Sequence, residues 1–188
     1  MKHSVQELIQ LAYHYHPRGI PIQSPAYKRS KEYKRRLEAC RKAAEIYASW
    51  LAMIRRLAAL FPQHRVYNHA MYMLSPGWDI PEFAGVIELA GGPGKQNPII
   101  EFRVSVLVPY YKLFRKDVVD ENQSRKCFAL PAEEGTVAAR IAQEIEATFE
   151  GYEAMPPEVG NTIVPDMILP ERPLDQATLY DCLMYPDP

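Results

Sequence analysis

The spacing of apolar residues predicts one long helix in the first third of the chain. Ser24-Pro25 is a helix start signal, because serine caps a first turn and proline fits the first helical position. Pro62 ends the pattern. A shorter helix is predicted over residues 4–15. Steps of four and three, typical of one buried stripe, separate the apolar residues Tyr33, Leu37, Cys40, Ala44, Tyr47, Leu51, Ile54, Ala58 and Phe61.

The middle of the chain is predicted to form strands, because apolar and polar residues alternate there. Strands are predicted over residues 65–74, 82–90, 99–111 and 125–130, with 112–119 as a further extended piece or a bent arm. Short or polar connections favour an antiparallel meander of four or five strands. In the third strand, the residues predicted to share one face are Ile100, Phe102, Val104, Val106 and Val108.

A last helix is predicted over residues 131–152, and a segment with five prolines follows up to Pro173. The inner row of that helix is Val137, Ile141, Ile145 and Phe149. We therefore predict a single α+β domain over residues 1–188. Its helices, the long N-terminal one included, are expected to cover one face of the sheet, and the proline-rich segment is expected to form an ordered tail.

Charge is distributed unevenly, although the net charge of the 188 residues is only −1. Residues 28–65 hold eleven lysines and arginines against three glutamates, a balance of +8. Residues 133–188 hold twelve acids against two arginines, a balance of −10. Such asymmetry steers a charged partner or is used for pairing within the fold.

Several classes of protein are not supported by the sequence. Residues 1–20 lack the continuous apolar region of a signal peptide, and no apolar run is long enough to span a membrane. The three cysteines are far apart and predicted to be reduced. These features predict a cytoplasmic protein.

No catalytic, metal or cofactor motif is present. The glycine-rich stretch over residues 91–96 lacks the spacing of a phosphate-binding loop. His14 and His16 have no third ligand in view and are predicted to be partly exposed at a helix end, so no metal is expected. His69 is predicted to be a hydrogen-bonded core histidine. An enzyme with an unrecognised site near His69 stays open as an alternative.

The basic run of the predicted long helix is a candidate nucleic-acid contact, because tyrosines interleave with its cations. The alternatives are a solvated helix face or pairing with the acidic C-terminal half. Nucleic acid is the less favoured partner, since the chain is not basic overall. The residues concerned are Lys28, Arg29, Lys31, Lys34, Arg35 and Arg36.

The proline-rich segment is a candidate docking surface for a basic protein. Proline fixes φ, so a stiffened segment loses less entropy when it binds. Acidic side chains with a few large apolar anchors suit a cationic partner. The alternative is a last strand across the sheet, with Val159, Ile163, Val164 and Ile168 pointing inward.

The C-terminal half resembles a group of small, uncharacterised proteins of social, predatory soil bacteria, some of which look like immunity partners of polymorphic or exchanged toxins. Three stretches carry the likeness: VSVLVPYYKLF (104–114), IAQEIEATFEGYEAMPPEVGNTIVP (141–165) and ATLYDCLMYPD (177–187). The resemblance covers about the last 100 residues and carries over no catalytic residue. It implies a cytoplasmic protein that binds and blocks a cognate toxin.

The leading hypothesis is therefore a protein-binding module without catalytic activity, most simply an immunity protein that acts through its acidic C-terminal surface. The oligomeric state is left open. The residues predicted to contact the toxin are Glu146, Glu150, Tyr152 as an anchor, Glu153, Glu158 and Asp166.

Overall fold

The fold is α+β, as predicted. The computed structural model describes residues 1–70, 79–90, 97–120, 123–127, 132–170 and 172–184. Within them, the helices are α1 (Val5–Tyr15), α2 (Pro25–Arg29), α3 (Lys31–Ala43), α4 (Tyr47–Leu60), α5 (Ala132–Thr148), α6 (Pro157–Gly160) and α7 (Leu179–Leu183). The strands are β1 (Arg65–Asn68), β2 (Glu82–Glu88), β3 (Ile99–Ser105), β4 (Tyr110–Asp120), β5 (Gln123–Cys127) and β6 (Glu153–Ala154).

The strands form one sheet in the order β1-β2-β3-β4-β5, in which every neighbouring pair is antiparallel. The predicted meander is therefore present. β6 adds a short parallel pair to β4, where Glu153 lies opposite Tyr110 and Ala154 lies opposite Tyr111. The sheet as a whole is mixed, which the sequence analysis did not predict.

The third predicted strand divides in two. β3 ends at Ser105, and β4 returns antiparallel from Tyr110. The Ser105 hydroxyl accepts hydrogen bonds from the backbone N–H groups of Leu107 (3.1 Å) and Val108 (3.3 Å), and so it stabilises a turn. Half-buried Val106 still packs against the same core as Ile100, Phe102 and Val104. The prediction that Val108 shares their face is wrong, because Val108 lies beyond this turn and is buried in a different cluster.

The predicted long helix is interrupted twice. Ser30 is extended (φ −65°, ψ 155°) because it ends α2 and caps α3, where its hydroxyl accepts the Tyr33 N–H at 3.1 Å. Ala44–Ile46 then form a 3₁₀ turn between α3 and α4. The prediction of one continuous helix from Ser24 to Phe61 is therefore wrong.

The buried stripe of α3 and α4 differs from the predicted one at some positions. Cys40, Ile54 and Phe61 are buried at predicted positions. Ala58 is exposed, whereas the preceding Leu57 is fully buried. Likewise, Trp50 is fully buried, whereas the predicted Leu51 is only half-buried.

One core lies between α4, α5 and one face of the sheet. The Trp50 ring stacks on Phe83, with 5.2 Å between ring centroids, and its Nε1–H donates to Asn68 Oδ1 at 2.8 Å. The hydrogen bond satisfies the indole nitrogen, so the whole ring is buried without an unpaired donor. Other residues of this core are Met53, Leu57, Ile87, Ile100, Phe102, Val104, Tyr111, Ile141, Ile145 and Phe149.

A second core lies on the opposite face of the sheet, near the beginning of β4. Tyr110 belongs to it while the adjacent Tyr111 belongs to the first core, because successive strand residues point to opposite faces. The prediction that all helices cover one face is therefore wrong: α1, α6 and α7 pack in this second core. Its residues include Leu8, Ala12, Val108, Met155, Val159, Val164, Met167, Leu169, Leu179, Tyr180, Cys182 and Leu183.

The proline-rich segment packs into the second core mostly without strand pairing. Val159 and Val164 are buried, but Ile163 is 45% exposed and Ile168 is half-buried. The alternative of a last strand with all four aliphatic residues inward is therefore wrong. In the described part of this segment, the pairing with the sheet is that of β6, which is two residues long.

The packing of this segment predicts opposite effects for two glycine substitutions. A Cβ at Gly160 would lie 2.2 Å from the Tyr180 ring, so Gly160→Ala should destabilise the fold by about 1–3 kcal/mol through overpacking. Gly135, in α5, has no atom within 4 Å of such a Cβ. Gly135→Ala should therefore stabilise by roughly 0.5–1 kcal/mol. Urea unfolding measures both, and equal effects would contradict the described contact with Tyr180.

Candidate functional site

A cleft of about 650 Å³ lies between the end of α1, one face of α3, and the β3–β4 turn. The Arg35 guanidinium donates to the carbonyl of His14 at 3.5 Å across it, and Val106 from the turn contributes an apolar wall. The lining residues are His14, Tyr15, Lys34, Arg35, Glu38, Ala39, Lys42, Ala43, Ile46, Val106 and Tyr152.

The charged side chains that line this cleft are mostly cationic. Lys34 and Lys42 lie two helical turns apart on the same face of α3, with Glu38 between them. Glu38 is the one acid of the lining, and it pairs at 3.9 Å with Arg41 outside the cleft. With Arg35 included, three permanent cations face one carboxylate that already has a partner. The cleft therefore favours an anionic ligand.

Two tyrosine rings border the cleft. Tyr152 is held in place because its hydroxyl donates to the Ser105 carbonyl at 3.0 Å and its ring packs 5.5 Å from that of Phe149. Tyr15 packs edge-on against His14, with 4.9 Å between ring centroids. Rings fixed beside cations can stack on flat groups of a ligand.

The basic residues predicted from the sequence divide among three places. Lys34 and Arg35 line the cleft, whereas Lys28, Arg29 and Lys31 are exposed outside it. Arg36 is only 2% exposed. The prediction that Arg36 contacts a nucleic-acid backbone is therefore wrong, because its side chain is buried in the protein. His14, Tyr15 and Lys42 were not predicted to line a site with Lys34 and Arg35, because the approach of α1 to α3 depends on the tertiary fold.

The predicted acidic surface is only partly open. Glu146, Glu150 and Glu158 are exposed. Glu146 and Glu150 are one turn apart on α5, and Glu146 Oε1 accepts the Tyr111 hydroxyl at 2.6 Å. Carboxylates at the surface suit a cationic partner.

The other predicted contact residues are engaged within the chain. A Glu153 oxygen accepts the backbone N–H of Lys2 at 2.6 Å, and the N-terminal ammonium of Met1 lies 3.5 Å from the other oxygen. The Asp166 carboxylate is paired with the Arg18 guanidinium. Tyr152, predicted as the apolar anchor of the acidic surface, lines the basic cleft instead.

A buried hydrogen-bond chain joins the two ends of the protein beside the cleft helix α3. His16 Nε2 donates to the Cys182 carbonyl at 2.8 Å, so His16 Nδ1 accepts the Tyr27 hydroxyl at 2.7 Å. The Tyr27 oxygen accepts Arg36 Nη1 at 3.1 Å, and Arg36 Nη2 donates to the Asp79 carbonyl at 2.6 Å. Burial, followed by the nearby Arg36 charge, lowers the pKa of His16 to about 3. The prediction of a partly exposed His16 is therefore wrong.

The surroundings of His69 do not form a site among the described residues. Its side chain is exposed, its backbone N–H donates to the Ala84 carbonyl at 2.9 Å, and its ring lies 6.5 Å from that of Tyr67. The prediction of a core histidine is wrong because His69 continues the exposed side of the alternation, together with Arg65 and Tyr67.

The second face of the sheet carries buried charges that balance one another. Arg103 pairs with Glu82 at 2.9 Å and with Glu101 at 2.5 Å, and Lys112 lies over the rings of Phe114 and Tyr180. Buried charges of opposite sign with hydrogen-bonded geometry are a structural arrangement rather than a poised catalytic pair.

The fold and cleft define a small α+β protein with a cationic groove and a separate set of exposed carboxylates. No protein-family model, curated protein or solved structure matches the chain. In the described part of the chain, no group of three or more histidine, cysteine or acidic side chains could hold a metal ion. No described helix has the length and apolar character needed to cross a bilayer.

The burial of His16 predicts a specific pH dependence of stability. Its pKa is about 3 in the folded chain against an ordinary value of 6.5, so unfolding takes up a proton between these values. The free energy of unfolding should therefore fall below pH 6.5, by up to about 1.4 kcal/mol per pH unit from this group. Urea unfolding from pH 7 to pH 4 should show a shallower slope for His16→Gln than for the wild type.

His14→Gln is the matched control, because His14 is exposed two positions earlier. It should reproduce the pH dependence of the wild type. A His16→Gln variant with an unchanged slope would show that His16 does not exchange a proton on unfolding.

Proposed function

We propose that this chain is a binding protein without catalytic activity that recognises a cationic protein partner through Glu146, Glu150 and Glu158. The single observation that carries the proposal is that these three carboxylates stay exposed, although eleven basic side chains lie within residues 28–65 of the same chain. Internal pairing takes up Glu153 and Asp166 instead.

The resemblance of the C-terminal half to immunity-like proteins supports a toxin as the partner and the cytoplasm as the location. Many toxin domains that act on nucleic acid are basic, so exposed carboxylates would both speed their encounter with this chain and cover their cationic surface. Glu146 is the best positioned of the three, since the Tyr111 hydroxyl limits the rotamers of its side chain.

The test uses the basic protein encoded by the gene beside that of this chain. Isothermal titration should show binding that weakens as salt is added, because exposed charges are screened. Glu146→Gln/Glu150→Gln should bind about 2- to 30-fold more weakly, since each exposed charge contributes roughly 0.2–1 kcal/mol. Glutamine keeps the acceptor for Tyr111, so the variant changes charge rather than the fold.

The matched control is Glu38→Gln/Glu45→Gln, which removes two exposed acids from the basic part of the chain. It should bind like the wild type. A neighbouring gene product that does not bind, or equal losses for both double variants, would contradict the proposal.

A second function, binding of single-stranded nucleic acid, is favoured by the cleft alone. Lys34, Arg35 and Lys42 can neutralise successive phosphates, and the rings of Tyr15 and Tyr152 can stack on bases. Of the six basic residues predicted from the sequence, Lys34 and Arg35 line this cleft, and Lys42 is added to them.

The cleft hypothesis predicts different results for two triple variants. Lys34→Ala/Arg35→Ala/Lys42→Ala should abolish binding of a fluorescent single-stranded RNA, whereas Lys28→Ala/Arg29→Ala/Lys31→Ala should retain most of it. Three phosphate contacts give a log–log salt slope of about −2. Anisotropy titrations measure both quantities. Equal losses of RNA affinity in the two variants would show that binding depends on positive charge in general and not on the cleft, and would contradict the hypothesis.

A further inference from the structure

The rim of the basic cleft carries positive charge that no carboxylate of the described residues neutralises. Lys34, Arg35 and Lys42 line the cleft and are exposed. Among the described residues, none of the three has a carboxylate oxygen within 4.0 Å. Glu38, the acid of the same rim, lies 3.9 Å from Arg41 instead. These cations are therefore available to carboxylates of another molecule.

Negative charge of the same kind is exposed on one flank of α5. Glu144, on the flank that faces α4, pairs with Arg56 at 2.8 Å and with Arg140 at 3.7 Å. Glu146 and Glu150 lie on the other flank and are exposed. In the described part of the chain, neither of them has a cationic nitrogen within 4.0 Å. Helix α5 thus keeps one paired and one unpaired acidic side.

The unpaired acids and the basic cleft adjoin each other. Glu150 comes two residues before Tyr152, which lines the cleft. Two residues of chain reach at most about 7 Å, so the acidic side of α5 begins next to the cleft wall. Positive and negative charges that do not pair within the chain are therefore neighbours on one surface.

Apolar side chains lie in the cleft among these charges. Ile46 is 39% exposed, and Val106 and Tyr152 are half-buried. The Tyr152 ring is held by its hydrogen bond to the Ser105 carbonyl. An apolar centre with a fixed aromatic ring, surrounded by charged side chains, is the usual composition of a protein–protein interface.

We propose that the basic cleft is an interface between two copies of this chain, related by a two-fold axis beside the cleft. A surface that carries both signs of charge side by side is self-complementary under such an axis, and the contact closes with two copies. The net charge of −1 also keeps repulsion between the copies small. In each half of the contact, Glu146 and Glu150 of one copy face Lys34, Arg35 and Lys42 of the other.

The contact deepens the proposed function, because it uses two of the carboxylates assigned to the cationic partner. If Glu146 and Glu150 bind that partner, the second copy and the partner compete for them, and the dimer holds this binding surface closed. Only this consequence rests on the proposed function. Self-association is measured with this chain alone, so its failure is distinguishable from a failure of partner binding.

The test is sedimentation velocity of the full chain without any partner. At low salt the wild type should show the mass of two chains. The dissociation constant of the dimer should rise about tenfold or more between about 50 and about 500 mM sodium chloride, because salt screens exposed charge pairs. A wild type that stays a single chain at low salt would overturn the proposal and leave the cleft to nucleic acid. Assemblies that grow beyond two chains would exclude the two-fold contact.

Two charge-reversal variants connect the dimer to these residues. Lys34→Glu/Arg35→Glu/Lys42→Glu makes both patches acidic, and Glu146→Gln/Glu150→Lys makes both basic while keeping an acceptor for the Tyr111 hydroxyl. Each variant alone should be a single chain. An equimolar mixture should form a one-to-one dimer, because opposite charges then meet in both halves of the contact. Since only folded chains restore the dimer, a mixture of two single chains would overturn the proposal.

The matched control is Lys28→Glu/Arg29→Glu/Lys31→Glu, which reverses three exposed cations outside the cleft. It changes the net charge by the same amount as the triple variant of the cleft. It should dimerise like the wild type. Loss of the dimer in this control to the same extent would show that net charge, and not the cleft, governs self-association.

Discussion

The two adjacent tyrosines of β4 point to opposite faces of the sheet, and this alternation gives the protein two cores instead of one. Tyr111 packs under α4 and α5, so the first face is closed by helices from the two halves of the chain. Tyr110 packs with α1 and the C-terminal segment. The second face is apolar near Val108 and Tyr110, and the N-terminal helix α1 and the C-terminal segment both cover it. The two ends of the chain are therefore brought into contact with each other.

Pairing of the two chain ends uses part of the opposite charge that they carry. Lys2 Nζ donates to the Gly151 carbonyl at 2.5 Å, Glu153 lies beside the N-terminal ammonium, and Arg18 holds Asp166. His16 completes the contact in the interior through the Cys182 carbonyl. Among the charges that this pairing leaves at the surface are Lys34 and Arg35 on α3, Glu146 and Glu150 on α5, and Glu158 on α6, which the functional hypotheses use.

Successive residues of helix α3 point in different directions. Lys34 and Arg35 face the open cleft, whereas Arg36 enters the interior and donates to the Tyr27 hydroxyl. A basic run that looks uniform in the sequence thus contains cations in different dielectric surroundings. The buried guanidinium needs hydrogen-bond acceptors, while the exposed cations are satisfied by water or by a mobile anionic ligand.

The sequence by itself determined the α+β class, the antiparallel order β1–β5 and the inner row of α5, because periodicity and local turn chemistry act between near neighbours. It also located the acidic and basic segments. Only the tertiary structure decided that Trp50 and Leu57 rather than Leu51 and Ala58 face the core, and that Arg36 and His16 are buried. It also placed Tyr152 in the same cleft as Lys34. These outcomes depend on which distant segment packs against each helix, and residues far apart along a chain leave no periodic signal of their contact.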